Sequence, residues 1–454
     1  MRRSLRVGWH GVKPWYVAAG LAFLVQGTGS VLIPLAVSRV LGRSVASLGL
    51  LSSLVSLVGV VGSLTWGRLA DAPSRRKPSI VLSYAGVGVC FLGMAFVRTF
   101  AQLALLNMAL NFFWMANAAV SVLIVIEYEK QDRWEREIGH MKQLSEVGWV
   151  IGLVVGSAAM AAGGLVVEEA TAIRGSFLLI GMAGIAAAAL AGRWVPGGTA
   201  QAAARRSVFE SVVSHAGAMG RQVLSVPYRP HGRVNARRIL AEMRSARRLR
   251  PGTRRFLWAT VTAFAGLGLF SIPLPLLFAQ EFRMPSSVVF LCFAVQNVAI
   301  VAAYPSAARR IRQAGNRRVH ASALVGRLVI FLGASLYLAL SSTVPSIVVV
   351  ALLLAGVGFT WSYFQLSGLA LTSRLAKPEN RGRALGLYNG VSGVGWILAG
   401  VGSGYLAEHV GYHASFAAAA ALLVAALVIL RFVPEPPAEG EVAPTSAAED
   451  ASSP

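Results

Sequence analysis

The sequence predicts an all-α integral membrane protein whose twelve transmembrane helices form two pseudo-symmetric six-helix bundles. Three observations predict this fold class: an apolar composition, twelve hydrophobic runs of membrane-spanning length, and an internal repeat. Hydrophobic residues make up 55% of the 454 residues and charged residues only 13%, with a mean hydropathy of +0.61. Because soluble domains carry about a quarter charged residues, most of this chain is expected to lie in lipid.

The hydrophobic runs set the positions of the predicted helices, since a span needs about 20 apolar residues. Six are predicted at 15–35, 47–66, 79–97, 103–126, 143–166 and 176–192, and six more at 256–278, 288–304, 319–340, 346–372, 384–407 and 415–430. This pattern divides the chain into an N-terminal bundle (1–192), a central loop (193–255), a C-terminal bundle (256–433) and a tail (434–454). The first run is too long for a signal peptide and is interpreted as a retained span.

Basic residues are distributed unevenly between the loops. Only five of the 42 Lys and Arg residues fall in loops on the outer side when the N-terminus is placed inside: Arg39, Arg43, Arg98, Arg174 and Arg283. The positive-inside rule therefore predicts a multi-pass protein of the plasma membrane with both termini cytoplasmic. The same distribution explains the net charge of +23 without a nucleic-acid partner.

The central loop at 193–255 is rich in arginine and is expected to be cytoplasmic. Its stretch 235–249 is compatible with a basic amphipathic helix that lies on anionic lipid headgroups, or with a solvated linker. The tail at 434–454 is acidic and rich in Pro, Ala, Ser and Gly, so it is expected to be disordered. The two cysteines, Cys90 and Cys292, lie in separate apolar runs, and no metal or other cofactor is predicted.

An internal repeat relates the two halves. The segment 136–149 matches 383–396 at an offset of 247, with six identities in fourteen positions. Weaker matches join 33–35 to 272–274 and 74–76 to 316–318 at offsets of 239 and 242. Repeated six-span halves of parallel topology are a known plan of secondary transporters, with the substrate held near the bilayer midplane between the halves.

The end of the second span carries a motif that reads Gly67-Arg-Leu-Ala-Asp71-Ala-Pro-Ser-Arg75-Arg76-Lys77. Gly67, Asp71, Arg75 and Arg76 match the spacing of the signature loop of the major facilitator superfamily, which the chain resembles over nearly its whole length. The resemblance implies that Asp71 stabilises the outward-facing state by bridging the halves at the cytoplasmic side. Glu127 and Glu129 are expected to form a charge network at the same side.

The resemblance also implies that spans one, four, seven and ten line a central cavity. Polar and aromatic residues in three of these spans are the candidates for substrate contact: Gln26, Ser30, Asn107, Asn111, Trp114, Trp361 and Gln365. A cavity with little fixed charge suits a neutral, amphipathic or cationic organic molecule better than a phosphate or dicarboxylate, which would require converging Arg or Lys. Ordinary interhelical hydrogen bonds are the alternative role for each polar residue.

Ionisable residues inside spans are functional candidates because burying them in lipid is costly. Glu146 in span five is the candidate proton carrier, with an ion pair to Lys142 or Arg327 as the alternative. Arg327 in span nine is expected to snorkel to the inner surface. Gly148, Gly152 and Gly156 form a GxxxGxxxG face, which is typical of close helix packing.

These features predict a proton-coupled efflux transporter of lipophilic or cationic compounds that works by alternating access as a monomer. The alternatives are an importer of a neutral nutrient such as a sugar, and a membrane receptor or scaffold whose basic loop binds a cytoplasmic partner. The sequence contains no GxxxxGK[ST] loop, which disfavours ATP-driven pumping. It also has no HExxH or Ser-His arrangement within the spans, so an enzyme is not expected.

Overall fold

In a computed structural model, the chain is described at residues 13–70, 73–128, 134–196, 251–341, 343–376 and 381–434. Within these ranges, twelve helices are long and apolar enough to cross a membrane, which confirms the predicted fold class. In the first half they are α1 (Pro14–Leu35, continued by a π-helical turn at Ala36–Val40), α2 (Val45–Ala70), α3 (Pro73–Met94), α4 (Phe100–Tyr128), α5 (Trp134–Gly163) and α6 (Glu169–Trp194). In the second half they are α7 (Pro251–Ser271, Leu274–Leu276 and the π-helical Leu277–Glu281), α8 (Ser286–Ala314), α9 (Asn316–Leu340), α10 (Ile347–Leu375), α11 (Arg381–His409) and α12 (Tyr412–Arg431).

Most helices extend beyond the predicted spans. The eighth, for example, continues to Ala314 rather than ending at Tyr304, because a helix can carry its polar last turns out of the hydrocarbon core. Helix α7 is broken between Ser271 and Leu274. Two prolines cause the break, Pro273 and Pro275, since proline has no N–H to donate to the preceding turn.

The two halves pack in the same way. Helix pairs α1–α5, α1–α6, α2–α4, α3–α4 and α3–α6 form the first bundle, and the corresponding pairs α7–α11, α7–α12, α8–α10, α9–α10 and α9–α12 form the second. Helices α4 and α10 have equal lengths and begin and end 247 residues apart, as the repeat predicts. The main contacts between the bundles are α2–α11 and α5–α8, which are also equivalent pairs.

One end of the molecule carries the beginning of α1 and the end of α12, and we call it the terminal face. Hydrogen bonds at this face join Arg317 to the carbonyl of Val433 and Tyr16 to the carboxylate of Glu137. We call the opposite end the far face, and it carries the connections α1–α2 and α7–α8. The predicted surface helix at 235–249 and nearly all of the tail lie outside the described residues, as does most of the central loop.

Candidate functional site

Arg39 ties the far-face end of α1 to that of α7. Its guanidinium donates to the carbonyl of Ala279 at 2.7 Å and to that of Met284 at 3.4 Å. The same group lies 3.5 Å from the carboxylate of Glu169 on α6, which accepts a hydrogen bond from the Ser286 hydroxyl of α8. One arginine and one glutamate thus connect four helices from both halves.

Helices α2 and α11 cross with their backbones in contact. The Ser53 hydroxyl donates to the Ile397 carbonyl at 2.7 Å and accepts from the Val401 N–H at 3.0 Å. Gly49 and Gly400 lie at the same crossing, where a side chain on either would meet the backbone of the other helix. Small residues therefore permit this close approach, as they do in other membrane helix pairs.

Glu408, near the end of α11, reaches across to the beginning of α2. Its carboxylate accepts from the Ala46 backbone N–H at 2.9 Å and from the Ser44 hydroxyl. N–H groups in the first turn of a helix have no partner within the helix and carry the positive end of its dipole. The acid therefore caps α2 from the opposite half of the molecule.

The described hydrogen bonds between the halves all lie toward the far face. A further one joins the Ser157 hydroxyl of α5 to the Ser287 carbonyl of α8 at 2.8 Å. Toward the terminal face, a side chain added at Gly139 or Gly390 would meet no atom within 4 Å. Lys142 of α5 is also exposed there. Among the described residues, the hydrogen bonds that join the two halves are therefore found at the far face, and none is found toward the terminal face.

Glu146 lies on α5, about 14 Å along the helix axis from Glu137. No ion pair within 4 Å and no hydrogen bond joins its half-buried carboxylate to another described residue. Neither of the ion pairs considered from the sequence is therefore formed in this structure, and Lys142 acts on Glu146 only at longer range. Helix α5, which carries Glu146, packs against α8 of the other half, and α8 carries Tyr304.

Tyr304 connects this position to the predicted cavity. Its hydroxyl donates to Oε1 of Gln365 on α10 at 3.3 Å. The hydropathy pattern puts Tyr304 at the end of a predicted span, and Tyr304 is not among the predicted site residues. The signal that would have found it is its position inside a membrane helix, because a buried tyrosine hydroxyl usually has a hydrogen-bond partner.

Each half carries an edge-on aromatic pair between its first and its fourth helix. Phe23 of α1 packs against Trp114 of α4 with ring centroids 4.9 Å apart, and Phe264 of α7 packs against Trp361 of α10 at 6.2 Å. Trp114 and Trp361 are 247 residues apart, which is the displacement between α4 and α10. The four helices are those that the family resemblance assigns to the cavity wall.

The polar candidates of the first half differ in their bonding. Gln26 and Asn107 are buried, and their amides make no hydrogen bond to any other described residue. Asn111 donates to a carbonyl of α2 at 2.7 Å, and Ser30 donates to a carbonyl of its own helix. The first two amides are therefore available to a ligand, whereas Asn111 joins two helices.

Arg327 is buried, and the expected snorkelling to the surface is wrong. Only 1% of the residue is exposed. It lies about 16 Å into α9 from Asn316, which is farther than its side chain can reach to the surface. The guanidinium donates to the Val357 carbonyl at 2.9 Å and lies 5.3 Å from the ring centroid of Trp361. Arg327 therefore places a positive charge against the indole of Trp361.

The signature loop is partly described. Arg76 forms an ion pair of 2.7 Å with Glu127 at the end of α4, and both side chains are nearly buried. Arg75 is exposed at the beginning of α3, and a side chain added at Gly67 would meet nothing within 4 Å. Asp71 lies outside the described residues, and so does Glu129.

The glycine face of α5 contacts two partners. Side chains at Gly148 and Gly152 would collide with backbone carbonyls of α1, and the Thr28 hydroxyl of α1 donates to the Gly152 carbonyl at 2.6 Å. Gly156 instead lies against the ring of Phe290 on α8. The same face therefore packs within the first bundle and across the interface.

Two six-helix bundles that pack in the same way and are joined by hydrogen bonds at one face have the architecture of a secondary transporter. A sequence model of the Major Facilitator Superfamily matches residues 15–366 and 256–453. The chain belongs to this superfamily.

Solved structures share the fold at low sequence identity. The nucleoside transporter NupG superposes with a TM-score of 0.67 at 14% identity, covering 92% of this chain and 96% of that one. A bacterial homolog of the human lysosomal transporter Spinster, in an inward-facing and unoccupied conformation, gives a TM-score of 0.59 at 16% identity over 93% and 96% of the two chains.

A curated relative, the efflux pump azaK of Aspergillus niger, is 30% identical over 117 residues. The match covers 26% of this chain and 25% of the pump, so the chain spans about a quarter of the length of that relative.

Proposed function

We propose that this Major Facilitator Superfamily transporter exports lipophilic or cationic organic compounds in exchange for protons, with Glu146 as the proton carrier. The observation that carries the proposal is the half-buried carboxylate of Glu146, which has no ion-pair partner among the described residues and lies on α5, a helix that packs against α8 of the other half. An ionised carboxylate in such a position is costly, and proton uptake removes the cost. The partial match to an efflux pump supports the direction of transport.

The closed far face supports transport by alternating access. The positive-inside rule assigns the terminal face, and with it both termini, to the cytoplasm of a plasma-membrane protein. The conformation described above is then inward-facing, with Glu146 reached from the cytoplasm. An outward-facing state requires release of the contacts of Arg39, Ser53 and Glu408.

The aromatic pairs support an amphipathic cargo. Trp114 and Trp361 present large apolar rings from opposite halves, and indole faces attract organic cations as well as flat apolar groups. A cargo held between them would contact both halves at once. Release from one half would then accompany the conformational change.

One observation favours a second candidate, the import of a neutral polar nutrient such as a sugar. Gln26 and Asn107 are buried residues whose amides have no hydrogen-bond partner among the described residues, and a neutral cargo with hydroxyl groups would supply such partners. The two candidates differ in the sign of the flux that an imposed pH gradient drives.

Flux in proteoliposomes tests the proposal. A panel of lipophilic, cationic and sugar-like compounds is measured with and without an imposed pH gradient of either sign. Proton-coupled export predicts that compounds move against the proton flow. Flux that does not respond to the gradient rejects proton coupling, and sugar uptake with the proton flow supports the second candidate.

A further inference from the structure

An apolar pocket of about 380 Å³ lies in the C-terminal bundle, between α7, α9, α10 and α12. Its floor includes Phe270 and Phe416, whose ring centroids are 4.4 Å apart. The far-face segment of α7 forms one wall through Leu277 and Phe278, on the opposite side of the helix break from Phe270. None of the described residues that line the pocket carries a carboxylate, amine or guanidinium group.

The pocket opens toward the bilayer. Val329 of α9 and Val349 of α10 belong to its lining and are 65% and 51% exposed, within helices that span the membrane. From Val329 to Leu338 the α9 wall rises about 14 Å, which matches half of a hydrocarbon core roughly 30 Å thick. The pocket therefore has the depth of one leaflet, the one at the far face.

The chemistry of the lining restricts the occupant. Among the described lining residues, only Tyr337 has a polar side-chain group, and its hydroxyl already donates to the Thr343 carbonyl at 3.0 Å. The pocket can thus recognise only hydrocarbon, through shape and apolar contact. In a bilayer, the hydrocarbon present at the mouth in large excess is the acyl chain of a phospholipid.

We propose that this pocket is a binding site for one acyl chain of a phospholipid from the far-face leaflet. The bound chain packs against the segment of α7 whose Ala279 carbonyl accepts from Arg39. Occupancy therefore supports the part of α7 that closes the far face. The pocket contains none of the residues proposed to bind cargo or protons, so lipid binding there does not depend on the direction of transport.

Gly333 offers a direct way to fill the pocket. It belongs to the lining, and a side chain added there would meet no atom within 4 Å. Gly333→Leu therefore puts apolar atoms of the protein itself in the place of the acyl chain. Gly175 on α6 is the matched control, because it is also a helical glycine with nothing within 4 Å and lies in the other bundle.

The experiment uses the full chain in nanodiscs that contain a phosphatidylcholine with a photoreactive diazirine in one acyl chain. After illumination, mass spectrometry maps the labelled residues. We expect labelling concentrated on 329–338 and 349–353, lost from both in Gly333→Leu and retained in Gly175→Leu. Even labelling of all lipid-facing helices, or labelling unchanged by Gly333→Leu, overturns the proposal.

A second variant and a thermal measurement test the same proposal. Val329→Phe narrows the mouth from an exposed position and should also reduce labelling, which guards against misfolding of the first variant. Delipidated wild-type protein should gain about 2–4 °C in Tm on addition of phosphatidylcholine, and more than Gly333→Leu gains. Displacement of the label by a transported compound at its KM would identify the pocket as a cargo site and reject the lipid.

Discussion

The carboxylate of Glu408 accepts the backbone N–H of Ala46 at 2.9 Å and thereby caps helix α2 from the other half of the molecule. The two helices run antiparallel, so α2 ends near the beginning of α11 at the terminal face. Glu408 thus lies at the C-terminal end of α11, close to the first turn of α2. Asp71 follows α2 in the sequence, outside the described residues.

Removing the charge of Glu408 should weaken the closed far face. An anion at a helix N-terminus contributes about 0.3–1 kcal/mol, so Glu408→Gln should raise the far-face-open population about two- to fivefold. Spin labels at Leu165 and Val410, which are exposed at this face in opposite halves, report the distance between the halves. Glu168→Gln alters an exposed far-face acid and should leave the distribution unchanged. An unchanged distribution in Glu408→Gln as well would show that the cap is irrelevant to gating.

The opposite shift is expected for Asp71, on the family resemblance of its loop. If Asp71 caps α11 in the outward-facing state, Asp71→Asn should lower the far-face-open population and slow transport while membrane expression stays normal. The same pair of labels measures the effect. Combining Asp71→Asn with Glu408→Gln should bring the distribution back toward the wild type. If both variants shift the distance distribution in the same direction, Asp71 and Glu408 do not stabilise opposite conformations.

The sequence predicted the helices and the repeat because these depend on local hydrophobicity and on residues that recur at a fixed displacement. The match of 136–149 with 383–396 predicted that α5 and α11 are equivalent, and α4 and α10 follow the same offset. Helix ends were less accurate. Polar terminal turns such as the end of α8 do not contribute to hydropathy.

The contacts between helices could not be predicted in the same way. Arg39 bonds to a residue 240 positions away, and Tyr304 bonds to Gln365 across two helices. Such pairs depend on the rotation of each helix about its axis, which a single sequence does not specify. Lys142 and Glu146 show that spacing alone can also predict a contact that is not formed. Their spacing of four residues favours an ion pair, but no ion pair within 4 Å joins them in the structure.

Glu146→Gln should abolish the response of transport to pH. The neutral amide resembles the protonated carboxyl and cannot release a proton, so the variant should exchange cargo across the membrane without coupling to a pH gradient. Flux driven by a cargo gradient should persist, whereas flux driven by a pH gradient should be lost. The measurement is proteoliposome flux under each gradient.

Glu137→Gln is the control on the same helix. Glu137 is buried and accepts a hydrogen bond from Tyr16 at the terminal face, away from the interface between the halves. Glu137→Gln should therefore change the thermal stability of the protein but leave the coupling of transport to the pH gradient intact. Retention of the full pH response in Glu146→Gln would exclude Glu146 as the carrier, whatever the stability of either variant.

Gly152→Leu should separate α1 from α5. A side chain there would collide with the Leu24 carbonyl, and overpacking of this kind costs about 1–3 kcal/mol. We expect a lower Tm for the purified protein in detergent. Gly139→Leu is the control on the same helix, since nothing lies within 4 Å of its added Cβ. Equal Tm values for the two variants would contradict the close packing of α1 on α5.

Arg327→Met should change selectivity without unfolding the protein. Replacing a buried charge by an apolar side chain of similar volume is often neutral or stabilising, so the Tm should be retained. A cation stacked on the other face of Trp361 would lie roughly 9 Å from the guanidinium, where like charges repel by about 2 kcal/mol at an effective dielectric of about 20. The KM for a permanently cationic cargo should therefore fall by up to about thirtyfold, while the KM for a neutral analogue of the same shape stays constant. An equal change for both analogues would show that Arg327 acts through packing of Trp361 rather than through its charge.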